Sequence, residues 1–358
     1  TFPTGNILDS GDFARNLADG LALSDAEGFA ARKAAARARG KALGRGIAYY
    51  VEKTAGGFEL AQIEVRADGQ VFVYAGTQTN GQGHETAYAQ IVAAQLGVDI
   101  ACVKFQPGDS EAIRAGGGTG GSRSLVMAGA AIGVAVEHIV EKGKEIAANE
   151  LEAAKADIEY RDAVFRIAGT DRQLGLFAVA ALAKSHGTAN AEGLSAEGEA
   201  RNKSNTWPNG CHVAEVEIDP ETGDYRVTRY AVVDDFGTVI NPMLVAGQVH
   251  GGVAQGLGQA MGEHGVYDPD SGQLVTGSFM DYWMPRADNM PHIDFKTNEI
   301  PCTTNPLGAK GCGEAGTVGA APAFVNAVVD ALSPYGVAHI DMPVTPLKVW
   351  QITKGRLL

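Results

Sequence analysis

A single glutamate, Glu314, ends a loop of small residues, Asn305-Pro306-Leu307-Gly308-Ala309-Lys310-Gly311-Cys312-Gly313-Glu314-Ala315-Gly316, just ahead of a long apolar stretch. A carboxylate in that setting has two readings. It caps the following helix and complements its dipole, or, desolvated, it serves as a general base. Lys310 either pairs with it or lies exposed. A second loop, Gly76-Thr77-Gln78-Thr79-Asn80-Gly81-Gln82-Gly83-His84-Glu85-Thr86, sits between strand-like and helix-like patterns. Gln82, between two glycines, presents an amide on backbone that another group can approach closely. The alternative is a polar strand-to-helix turn, with His84 a surface or capping histidine.

A third loop, Gly116-Gly117-Gly118-Thr119-Gly120-Gly121-Ser122-Arg123-Ser124, leads straight into an apolar helical pattern. Glycines, hydroxyls and an arginine at a helix start suit a phosphate, and a flexible linker is the competing reading. No Gly-Lys-Ser/Thr follows, so this is not a Walker A loop. A fourth segment runs from Asp234-Asp235-Phe236-Gly237 through Ile240-Asn241-Pro242 to a helix bearing Gly247-Gln248-Val249-His250-Gly251-Gly252. Its glycines predict tight helix packing, and Gln248 is placed to offer an amide to a ligand. Asp234 and Asp235 are too isolated to count as metal ligands. The four cysteines, Cys102, Cys211, Cys302 and Cys312, contain no CxxC pair and read as small buried thiols, so no iron–sulfur cluster is expected on this chain.

Composition supports binding loops. Glycine makes up 47 of 358 residues, about 13% against a usual 7%, clustered instead of periodic. The net charge of −13 argues against nucleic acid and anionic membrane as partners. An anionic ligand would then have to be held by helix dipoles and backbone N–H groups. No apolar run near the roughly 20 residues of a membrane span is read, and residues 1–12 lack the pattern of a signal peptide. A cytoplasmic location is therefore expected. The start at Thr1 without Met reads as a fragment, a processed product or a trimmed chain.

The elements that must position these loops are read as follows. Residues 12–43 predict helix, then strands at 46–52, 59–65 and 70–74, with Asp68-Gly69 turning a hairpin. Helical spacing covers 85–96, a strand 101–105, and a long helix about 124–156. Residues 185–205 are small and polar and predict a linker. A hairpin spans 211–233 about Pro220-Glu221-Thr222-Gly223, and helices follow at 242–261 and 317–332. Hairpins among irregularly alternating helices favour an α+β fold. It is expected as two lobes of mixed or antiparallel sheet packed with helices, residues 1–200 and 201–358, the second carrying the Glu314 loop.

Five segments in register resemble one family. GQGHET at 81–86, GGTGGSRS at 117–124, INPMLVAGQVHGGVAQGLGQA at 240–260, NPLGAKGCGEAG at 305–316 and MPVTPLKVW at 342–350 are similar to the second molybdenum-domain half of the xanthine dehydrogenase, aldehyde oxidase and carbon monoxide dehydrogenase family. The resemblance implies a molybdenum-pterin cofactor, usually cytosine-extended in bacteria, and oxidative hydroxylation of an aldehyde or N-heteroaromatic substrate with oxygen from water. It implies that Gly81, Gln82 and Gly83 contact the pterin side. Gly121, Ser122, Arg123 and Ser124 would hold pyrophosphate or pterin, Gln248 would lie near the molybdenum ligands, and Glu314, beside Gly313, would be the base. No side chain is expected to ligate the metal. Partners implied are the N-terminal molybdopterin-binding half, an iron–sulfur subunit and an FAD subunit. Two other readings stand beside this one: a non-catalytic cofactor-binding or assembly module, and a phosphate or nucleotide binder using residues 116–124.

Overall fold

The computed structural model describes residues 3, 5–183, 189–190, 193–202 and 204–355. In chain order the elements are α1 (Phe13–Leu23), α2 (Phe29–Ala38), β1 (Ala42–Val51), β2 (Gly57–Arg66), β3 (Val71–Ala75), α3 (His84–Leu96), β4 (Val103–Pro107) and α4 (Ser124–Glu150). There follow β5 (Ile158–Arg161), β6 (Val164–Ile167), β7 (Gln173–Gly175), α5 (Leu176–Ala183), β8 (Ala189–Asn190) and β9 (Gly193–Asn202). The rest are β10 (Asn209–Ile218), β11 (Tyr225–Asp235), α6 (Pro242–Met261), β12 (Ile293–Thr297), α7 (Ala315–Leu332) and α8 (Pro346–Thr353).

Two apolar cores result, each a mixed sheet under helices, as the α+β reading expected. The first holds the sheet β4-β3-β2-β9-β8, in which β2 pairs antiparallel with β3 and β9 while β3 and β4 run parallel. Helices α3, α4 and α5 cover it, and Ile63, Val73, Tyr88, Ile132 and Ile139 fill the layer between. The second holds β1-β10-β11-β12, antiparallel but for the β11–β12 pair. Here α7 lies on β1 and β10, α6 packs on α7, and α1 crosses β10 and β11. A small sheet, β5-β6-β7, packs against α4 through Phe165. The segments interleave: β1 belongs to the sheet of β10 and β11, whereas β9, reaching residue 202, lies between β2 and β8 in the first sheet.

Three local expectations are corrected. The single helix over 12–43 is two helices, broken after Leu23 where Asp25 takes a positive φ of 50°, and followed by a strand already at Ala42. The linker expected over 185–205 is, across 193–202, a strand paired with β2 along ten residues; residues 184–188, 191–192 and 203 lie outside the described residues. Its small residues have a steric cause. A Cβ on Gly198 would stand 2.1 Å from the carbonyl oxygen of Ala131, because α4 lies directly on the strand. Gly44 and Gly46 of β1 meet α7 in the same way, at 2.0 Å from the carbonyls of Ala327 and Ala323. Finally, α4 and α7 are both long and apolar enough by length and composition to cross a membrane, contrary to the reading of the bare sequence. Both bury their apolar faces on the sheets.

Candidate functional site

The four loops converge on one cleft of about 560 Å³ between the two cores. The first core supplies Asn80–Gln82, His84 and Thr119–Leu125; the second supplies residues between Phe236 and Gln248 and the run Lys310–Glu314. Four helices begin at its wall: α3 at His84, α4 at Ser124, α6 at Pro242 and α7 at Ala315. Asn241 caps α6 by accepting from the Leu244 N–H at 3.0 Å. Helices α3, α4 and α7 have no side-chain cap. Uncapped helix starts present unpaired N–H groups and partial positive charge. Such helix starts are suited to an anion even in an acidic chain. Gly81, Gly120 and Gly121 have open space where a Cβ would stand, so their backbone is bare to a ligand.

Glu314 lies exposed in this cleft at the start of α7, tied to Ser122 of the glycine loop. The Ser122 hydroxyl donates to Glu314 Oε2 at 2.7 Å and accepts from the Glu314 N–H at 3.0 Å. Ser122 is held in a left-handed conformation, φ 50°, and Gly311 abuts its carbonyl, where a Cβ would come within 2.0 Å. The same hydroxyl lies 3.3 Å from Oε1 of Glu52, just past the end of β1. Burial, and then the charge of Glu314, push Glu52 up to about 8. Nothing in the sequence around Glu52 singled it out, because its partners lie 70 and 262 positions further along the chain.

Lys310 neither pairs with Glu314 nor lies exposed. Its Nζ donates to Asp235 Oδ2 at 2.7 Å, with both side chains fully buried. Asp235 Oδ1 also accepts the N–H groups of Gly237 at 2.9 Å and Ile300 at 3.1 Å. This pair clamps the Glu314 loop to the end of β11. Asp234 points into the second core instead, accepting from the Tyr50 hydroxyl at 2.9 Å, with His212 Nε2 3.7 Å away.

The other candidates divide by what their side chains do. Gln82 folds back on its own loop, its Oε1 accepting from the Asn80 N–H and its Nε2 donating to the Gln78 carbonyl at 3.1 Å. Gly83 does not line the cleft; at φ 81° it starts α3, and a Cβ there would stand 2.5 Å from a Leu244 methyl. The guanidinium of Arg123 is committed within the fold. It donates to the fully buried Glu59 at 3.1 Å, to the carbonyl of Gly118 at 2.7 Å, to that of Gly56 at 3.4 Å, and to the Phe58 carbonyl. What it holds in this structure is the glycine loop. Ser124 is buried and its hydroxyl donates to Thr119 at 3.1 Å. Gln248 reaches the cleft from α6, half-buried, without a hydrogen bond among the described residues. His84, expected at the surface, is buried, stacks on Tyr88 at 4.9 Å and leaves Nδ1 without a partner. Burial holds its pKa below the ordinary value, so the ring is neutral at pH 7.

Among the described residues no group of three or more His, Cys, Asp or Glu side chains is placed to hold a metal ion. A metal carried by an organic, anionic cofactor needs no such group of side chains. The bare glycine backbone, the uncapped helix starts, the Gln248 amide and the orphaned His84 nitrogen fit such a polar, anionic group.

The model for the molybdopterin cofactor-binding domain matches residues 19–291. The chain is 36% identical over 354 residues to the 6-hydroxypseudooxynicotine dehydrogenase complex subunit gamma of Paenarthrobacter nicotinovorans, covering 97% of this chain and 44% of that protein. It is 36% identical over 367 residues to the carbon monoxide dehydrogenase large chain of Hydrogenophaga pseudoflava, covering 98% of this chain and 46% of that one. Quinoline 2-oxidoreductase from Pseudomonas putida 86 superposes with a TM-score of 0.87 at 35% identity, over 97% of this chain and 46% of that structure's. The chain therefore spans just under half the length of these relatives.

Proposed function

This chain belongs to the molybdopterin cofactor-binding domain family, and from that premise we propose that it is the base-bearing half of a molybdenum hydroxylase acting on an aldehyde or N-heteroaromatic substrate. The observation that carries the reading is Glu314, an exposed carboxylate whose position is fixed in the same cleft as the uncapped helix starts. The bound molybdenum-pterin would supply the two-electron oxidation, with water as the source of oxygen.

The chain's own residues position and move protons. Helix N-termini and bare backbone at Gly81 and Gly121, continuing through the backbone of Ser122 and Ser124, would hold the pterin and the pyrophosphate of a cytosine dinucleotide extension. Arg123 contributes by pinning the loop that carries them. Gln82 and Gly83 shape the pterin side, Gln248 offers its amide near the metal end, and Gly313 leaves room beside the carboxylate. Glu314 takes the proton from the attacking oxygen nucleophile through its second carboxylate oxygen, while Ser122 holds the first. The N-terminal half, an iron–sulfur subunit and an FAD subunit would complete a cytoplasmic enzyme and carry electrons away. Relatives whose names carry 6-hydroxypseudooxynicotine and quinoline support an N-heteroaromatic substrate, although the carbon monoxide dehydrogenase large chain is equally similar.

The test is Glu314→Gln in the assembled complex. Molybdenum content should stay near wild type while turnover falls by about 10²–10⁴-fold, the usual share of a general base. Near-normal turnover would remove Glu314 from that role.

A further inference from the structure

We propose that Glu52 is a neutral carboxylic acid at pH 7 and that, through the Ser122 hydroxyl, it fixes Glu314 as the proton acceptor of the cleft. The inference deepens the reading above and rests on it only for the role of Glu314.

The argument begins with donors and acceptors. The Ser122 oxygen has three polar neighbours: Glu314 Oε2 at 2.7 Å, the Glu314 N–H at 3.0 Å and Glu52 Oε1 at 3.3 Å. A hydroxyl carries one proton and two lone pairs. The proton belongs to the shortest contact, Glu314 Oε2, where a charged acceptor draws it most strongly. The Glu314 N–H takes one lone pair, and Glu52 Oε1 faces the other. Two acceptors facing each other repel, so the Glu52–Ser122 contact is favourable only if Glu52 brings a proton of its own.

Burial points the same way. Glu52 Oε2 is buried without a hydrogen-bond partner. An unsatisfied buried oxygen costs more when it carries charge than as a neutral carbonyl. The strongest ionisable neighbours among the described residues that act on Glu52, or are acted on by it, are Glu314 from the start of α7, Asp234 from β11, Tyr50 from β1 and Cys312 from the loop before α7. Tyr50 and Cys312 are both pushed upward, Cys312 to about 12, and stay neutral at pH 7. Burial, the charge and side-chain contact of Glu314, and the charge of Asp234 all oppose ionisation of Glu52, and together they outweigh the Ser122 contact, which favours it.

All the protons of this chain therefore point one way, from the Glu52 carboxyl to Ser122 and from Ser122 to Glu314. Glu314 Oε2 is occupied by a fixed donor, and its other oxygen is left for the cleft. Glu52 touches no substrate in this scheme; it is a positioning residue. Above about pH 8 it ionises, the Ser122 proton is contested by two carboxylates, and the arrangement loses its direction.

Infrared difference spectra of the full chain, wild type minus Glu52→Gln, followed from about pH 5 to about pH 10, read this directly. A protonated-carboxyl carbonyl band should persist at pH 7 and vanish with a midpoint near 8. In Glu314→Gln, which removes the neighbouring charge, the midpoint should fall by about a unit, a tenfold gain in acidity. Should Glu52→Gln fold poorly, a shift of the same band in Glu52→Asp assigns it. Absence of a Glu52-dependent band at pH 7, or a midpoint that Glu314→Gln leaves unmoved, overturns the inference. The two readings fail separately. Normal turnover in a Glu314→Gln complex removes the base and leaves the Glu52 titration intact, whereas an ionised Glu52 at pH 7 removes this inference and leaves Glu314 a candidate base.

Discussion

Replacing Lys310 by methionine isolates the contact that holds the Glu314 loop. Methionine keeps most of the side chain's volume and removes its charge, leaving the Asp235 carboxylate buried without its cation. Breaking a buried ion pair from one side costs about 3–5 kcal/mol. Asp235 keeps the N–H groups of Gly237 and Ile300 at 2.9 and 3.1 Å, and Asn209 Nδ2 at 3.4 Å, which places the loss near the lower figure. About 3 kcal/mol at roughly 2 °C per kcal/mol lowers Tm by about 6 °C. Asp235→Asn alone strands the buried ammonium and should cost about as much. The double variant removes both charges, so its cost should fall below the sum of the singles by more than about 1.5 kcal/mol. Urea unfolding of the four chains at neutral pH measures this cycle. A loss under about 1 kcal/mol in Lys310→Met, or strict additivity in the double, refutes the claim that this pair clamps the loop.

Arg123→Ala should cost about 3–4 kcal/mol, because Glu59 is fully buried and Gly118, Gly56 and Phe58 lose a shared donor. Arg123→Lys should recover little of it, since one ammonium cannot reach four acceptors as a planar fork does; full recovery of urea stability by lysine would count against the loop-pinning role. Glu52→Gln should change how stability depends on pH. The folded chain keeps the Glu52 proton up to about 8, while the unfolded chain releases it near 4.3, so wild-type stability falls as pH rises between those values and is level above them. Glutamine removes that fall, and after discounting for solvent screening the variant should gain about 1–2 kcal/mol on wild type between pH 5 and 8.5. Urea midpoints whose difference is the same at both pH values would contradict it.

How far the sequence showed all this depended on whether a residue's partner lay nearby. The β10–β11 hairpin was legible because Pro220–Gly223 turns between two apolar runs, and α6 because Asn241-Pro242 starts a helix locally. The four loops were legible as candidate binding loops because of their glycines, and the fold brings them to one cleft. β9 was not, since Gly198 and its small neighbours read as linker until α4 is seen lying on them. Arg123 has the right chemistry for an anion, and only the fold shows that Glu59, 64 positions earlier, already engages it. Glu52 is an unremarked acid at a strand end, and Lys310 could be judged only with Asp235, 75 positions away, in view. In each case the missing information was a long-range contact between ionisable or very small residues, which no local pattern encodes.

The cleft takes its walls from both hydrophobic cores, so whatever fills it is a cross-link between them. By mass action a ligand held across such a seam stabilises the joined form by about 4 kcal/mol at a thousand times its dissociation constant. That is comparable to the clamp at Lys310, and it acts on the junction instead of on either core. A cofactor bound there would be a keystone as well as a reagent. Losing a ligand held there would weaken the seam while leaving each core's own packing in place.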